Sequence, residues 1–147
     1  MSDTTHLIHD IVDASLEGAA FYQEAAGSVD DKRLSSVFSE IAKAKADLAD
    51  NLSAELRAKP KRHHPDGELE HLSDTYGDSR GVMAKANDHS LSALEQSERL
   101  VQKSLQRVVM DRDNSFVLRV LAKTYAKKAE DFSARLRQRM RELAVKN

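Results

Sequence analysis

The chain has 147 residues, enough for one domain with a real core. Five glycines, two prolines, 32% charged and 40% hydrophobic residues suit an all-helical soluble protein, and a formal net charge of −1 argues against a dedicated nucleic-acid binder. The absence of cysteine excludes a disulfide framework, a thiolate nucleophile and a cysteine-type zinc site.

The first predicted helix runs from about residue 3 to 27, with Leu7, Ile8, Ile11, Ser15, Ala19, Tyr22 and Ala26 on its inner face. Asp10, Asp13, Glu17 and Glu24 fall opposite that face and are expected at a solvated surface. The start has no basic leader region, and no stretch is apolar and long enough to span a bilayer, so a cytoplasmic protein without membrane contact is expected. His6 and His9 have i, i+3 spacing, which near a helix start is expected to leave both exposed. The break at residues 27–30 offers Ser28 or Asp30 as the next N-cap.

The second helix is predicted over about 31–59. Phe38, Ile41, Ala42, Leu48, Ala49 and Leu52 share one face of it, and Lys45 falls in the middle of that face. An ammonium in a core requires a partner, because an unpaired buried charge is very costly. Residues 60–81 follow, holding both prolines and three of the five glycines, and are expected to form a long crossover. Glu68 to His71 reproduces one Glu-x-x-His there, beside His63 and His64, where a surface transition-metal site is one option.

The third helix is predicted over about 82–110, with Leu91, Leu94, Val101, Leu105 and Val109 inward and His89 outward. After a tight turn at 111–114, the fourth covers about 115–145. Two short links and one long one predict two antiparallel hairpins joined by a crossover, an all-α four-helix bundle occupying residues 1–147 as one domain. The halves also form a weak repeat: Ser15 precedes Lys45 by thirty residues, as Glu98 precedes Lys128.

Charge is unevenly spread. Residues 1–31 carry seven carboxylates and no Lys or Arg, whereas residues 115–147 carry nine Lys or Arg against three Asp or Glu. We expect the first and last helices to complement each other, within the bundle or across a homo-oligomer. The competing reading is a basic tail for RNA, DNA or anionic lipid. With no tryptophan and few aromatics among the basic residues, no base-stacking platform is visible and no nucleic-acid partner is expected.

The stretch IHDIVDASLEGAAFYQEAA (8–26) resembles the opening helix of a bacterial ferritin-like family of small four-helix-bundle proteins with no settled activity. RLSSVFSEIAKAKADLADNL, ALEQSERLVQKSL and the Tyr125-Ala126 step of KTYAKKAEDF are similar to its later helices. The likeness covers nearly the whole chain except 60–81 and implies a ferritin-like fold. Ferritin-like di-iron proteins take a Glu from one helix and a Glu-x-x-His pair from the next in each half. Set against that pattern, Ser15 stands at the first glutamate and Lys45 with Leu48 at the first pair. Glu98 stands at the third position and Lys128 with Asp131 at the second pair. Only Glu98 matches, so no metal, cofactor or conventional di-iron site is expected.

We therefore expect Lys45, Glu98 and Lys128 to form a core polar cluster, with Ser15 and Tyr22 as hydrogen-bond partners. The alternative is that both lysines lie at stripe edges and snorkel to solvent. No nucleophile–base constellation and no phosphate-cradling glycine loop appears, so an enzyme is the weaker class. The leading reading is a non-catalytic interaction or stress-associated bundle. The second is a metal-binding or oxidase-type protein with non-standard ligands such as Glu98, Asp131 and Tyr22.

Overall fold

The computed structural model describes residues 4–57 and 88–146, except the side chains of residues 88–91 and 146. The described residues form four helices, α1 (Thr5–Ser28), α2 (Lys32–Arg57), α3 (Asp88–Met110) and α4 (Phe116–Lys146), and no strand. They pack as a four-helix bundle. α1 neighbours α2 and α3, while α4 neighbours α2 and α3, so α1 and α4 stand on one diagonal. The first and last helices are therefore not adjacent, and the expected charge complementarity between them is not a packing contact within the bundle.

Helix direction follows from which residues share a core. Leu7 and Ile8 at the start of α1 pack with Leu52 and Leu56 at the end of α2, Leu105 and Val108 at the end of α3, and Leu118 at the start of α4. The second core joins Phe21, Tyr22 and Ala25 of α1 to Leu34, Val37 and Phe38 of α2, Leu94 of α3, and Leu136 and Met140 of α4. Arg57 and Asp88 thus lie towards opposite ends of the bundle, as two hairpins with a crossover require. The crossover itself, with His63, His64 and His71, lies outside the described residues, as do residues 82–87.

The α1–α2 link is set by Asp31, one residue beyond the expected caps. Its carboxylate accepts from the Leu34 backbone N–H at 2.9 Å, satisfying one of the free donors of the first turn. Ser28 is instead the last residue of α1, its hydroxyl donating to the Glu24 carbonyl. The α3–α4 turn is built by Asp111, whose side chain accepts from the Asp113 N–H at 3.0 Å, and by Ser115, whose hydroxyl accepts from the Leu118 N–H at 3.2 Å. Thr4 donates to the other Asp111 oxygen at 2.9 Å and accepts from Asn114 at 2.8 Å, which fastens the start of α1 to this turn.

α1 buries a wider face than its main apolar stripe predicts. Besides that stripe, Asp10, Ala14, Gly18, Phe21 and Ala25 are buried at spacings of three and four. Asp10 lies on this second stripe and is buried, contrary to the expectation of a solvated surface. Asp13 and Glu24 are exposed and Glu17 is half-buried.

Candidate functional site: a polar layer between two cores

The two apolar cores are separated by a layer containing Lys45. The same helical register that buries Phe38, Ile41, Ala42, Leu48 and Leu52 carries Lys45 to the centre, where it is 1% exposed. Its ammonium reaches across to α3 and lies 3.0 Å from Glu98 Oε1. Tyr22 of α1 donates to the other carboxylate oxygen, Oε2, at 2.8 Å. Both oxygens of one carboxylate are thereby engaged by helices α1 and α2, the arrangement a nearly buried anion needs. The ammonium also lies 5.3 Å from the ring centre of Tyr125 on α4 and 5.7 Å from that of Tyr22. All four helices contribute to this layer.

The electrostatics follow from burial. Burial alone pulls the Lys45 ammonium down, but Glu98 and Tyr125 outweigh it and hold the group above the ordinary lysine range. Burial, reinforced by the Glu98 charge, pushes the Tyr22 phenol well above its usual value. Burial also raises Tyr125, with Lys45 opposing the shift. The Tyr125 hydroxyl is buried and makes no hydrogen bond of normal geometry among the described residues. Lys45 and Tyr22 hold their protons more tightly folded than unfolded. Their stabilisation is thus complete below the ordinary values of about 10 and is lost as pH rises through the folded values. The denaturation midpoint is expected to change little with Lys45 and Tyr22 between pH 7 and 9 and to fall above about pH 10. Lys45→Met with Glu98→Leu should reduce that alkaline fall and leave the part set by the burial of Tyr22 and Tyr125, as chemical denaturation across the range would show.

Of the five residues expected in the cluster, the structure brings Lys45, Glu98 and Tyr22 together. Ser15 is buried nearby on α1, but it is not one of the partners that hold Lys45 and Glu98. Lys128 is exposed and lies outside the layer. The inward positions of α4 are Leu118, Ala122, Tyr125, Ala129, Leu136 and Met140, and Lys128 is one residue, about 100°, off Ala129. A single carboxylate balances one ammonium, and a second in the core would be uncompensated; at the rim Lys128 keeps its water. Tyr125, one turn earlier, fills the α4 place in the layer. No charge marks Tyr125 in the sequence; its only signal is an aromatic at inward spacing.

The alternative ligand set is not assembled. Asp131 is exposed in a groove between α2 and α4, where it lies 3.9 Å from Arg135. Glu98 instead faces a different groove, between α3 and α4, of about 540 Å³ and lined also by Glu95, Arg99, Gln102 and Arg137. Among the described residues no three His, Cys, Asp or Glu side chains converge as metal ligands would.

Ion pairs outside the layer tie α4 to its neighbours. Arg139 grips Asp31 through two nitrogens, one at 2.8 Å, so the residue that caps α2 also anchors α4. Arg135 binds Glu40 of α2 in the same two-pronged way, and Arg137 pairs with Glu95 of α3.

The model of one protein family, described as a domain of unknown function (DUF2383), matches residues 3–111, from the start of α1 through the end of α3. The chain belongs to this family. The family model ends at the residue that opens the α3–α4 turn, so Lys45, Tyr22 and Glu98 fall within the match and Tyr125 beyond it. No curated protein and no solved structure matches the chain.

Proposed function

We propose that this chain is a non-catalytic, ferritin-like bundle that works in the cytoplasm as an interaction protein, its centre held by a built-in cation. The observation that carries the reading is the Lys45 ammonium, 1% exposed and 3.0 Å from Glu98, between two apolar cores. A ferritin-like fold implies a di-iron centre at this level, built from carboxylates and imidazoles. The residues present do not fit one. Among the described residues a single carboxylate reaches the layer, both its oxygens are taken, and a fixed positive charge stands where an incoming cation would need an anion. Helix direction supports the ferritin-like part, because α2 and α3 end and begin at opposite ends of the bundle. Association with stress rests on the resemblance alone.

Iron loading tests the reading. Protein purified without an affinity tag and loaded anaerobically is expected to retain less than one iron per chain after desalting, with no ferroxidase turnover. Two tightly held irons per chain would contradict it.

A further inference from the structure

The outward faces of α1 and α4 have opposite characters. On α1 the exposed residues Asp13, Leu16, Ala20 and Glu24 form one stripe at spacings of three and four, with Leu16 51% exposed. On α4 the exposed residues Phe116, Val120, Lys123 and Lys127 form another, with Phe116 75% and Val120 42% exposed. The basic residues of α4 divide by position. Arg135, Arg137 and Arg139 pair with α3 and α2 inside the same chain, whereas Lys123 and Lys127 form no ion pair among the described residues. Asp13 and Glu24 form none either.

We propose that the α1 stripe of one copy docks on the α4 stripe of a second copy of this chain. The two stripes are complementary in charge, and each carries exposed apolar side chains that the contact would cover. They cannot meet within one chain, because α1 and α4 occupy one diagonal of the bundle. Both helices pass the level of the central layer, since Tyr22 and Tyr125 meet Lys45 there. Each copy presents one acidic and one basic face on opposite sides. The contact is therefore heterologous, and repeated it generates a ring or an open chain of copies rather than a two-fold dimer. A nucleic acid or anionic lipid would use the lysines but leave the acidic stripe and Leu16 without a role.

The test is the mass of the full chain in solution, measured by sedimentation equilibrium across concentration at low and high salt. The wild type is expected above the 16.4 kDa of one chain at low salt and to fall towards it as salt screens the contact. Lys123→Glu with Lys127→Glu, and separately Asp13→Lys with Glu24→Lys, should each weaken association at least about ten-fold while leaving the circular dichroism spectrum unchanged. An equimolar mixture of the two variants should assemble again, because the reversed faces complement each other. A wild type that stays a single chain at every concentration and salt would overturn the proposal, as would assembly indifferent to both charge reversals. Binding of a monomeric wild type to anionic vesicles or nucleic acid, lost in the lysine variant, would also overturn it by assigning the basic face to a polyanion.

Discussion

Glu98→Leu is expected to lower the unfolding free energy by about 3–5 kcal/mol, the usual result of stranding one member of a buried ion pair. The substitution leaves the Lys45 ammonium 1% exposed with its anion gone. It also removes the acceptor of the Tyr22 hydroxyl. Lys45→Met with Glu98→Leu should recover most of the loss, because well-packed apolar residues replace buried ion pairs at little net cost. The coupling between the two changes is the observable, read from denaturation of the four proteins in a double-mutant cycle. The single variant carries a further signature. Without Glu98, burial dominates Lys45 and pulls its pKa below the ordinary value, so the folded state binds fewer protons than the unfolded one. Its stability should then rise with pH as the ammonium is lost, narrowing the gap to the wild type above neutrality. A Glu98→Leu protein as stable as the wild type, with no pH-dependent gap, would mean that the pair is solvated.

The two tyrosines of the layer should contribute unequally. Tyr22→Phe removes a hydrogen bond to an ionised carboxylate, a kind worth about 1.5–3 kcal/mol, and leaves Glu98 Oε2 short of that donor. Tyr125→Phe removes a buried hydroxyl that makes no hydrogen bond of normal geometry but helps to hold the Lys45 charge, so its cost should be small and well below that of Tyr22→Phe. Both substitutions keep the aromatic ring beside the ammonium, so cation–ring attraction does not separate them. Parallel denaturation of the two variants checks the contrast, and a Tyr125→Phe loss equal to that of Tyr22→Phe would contradict it.

The four helices were legible because their apolar residues recur at the helical period and few glycines or prolines interrupt them. Lys45 was legible for the same reason, as a charge on an otherwise apolar face, and Glu98 as the carboxylate nearest the middle of the α3 inner face. What escaped is what depends on rotation and distance. The thirty-residue repeat placed Lys128 inward, yet α4 is turned by one position so that Tyr125 and Ala129 face the core. Asp10 escaped because α1 buries a second stripe, and one helix read alone does not reveal how many neighbours it has. The Asp31–Arg139 bridge joins residues 108 apart, and no local spacing announces such a pair. Sequence pattern also expected the acidic first and basic last helices to complement each other, within the bundle or across a homo-oligomer, and the diagonal packing leaves them no packing contact within the bundle.

The central claim is that Lys45 serves as the fixed cation of the bundle, charged and sealed beside Glu98. Nitrogen-15 NMR of the lysine side chains, followed from pH 7 upward, tests this most directly. One ammonium signal, assigned by its absence in Lys45→Met, should stay visible through slow exchange with water and remain protonated above the pH at which the exposed lysines titrate. A Lys45 signal that exchanges and titrates with the exposed lysines would contradict the account.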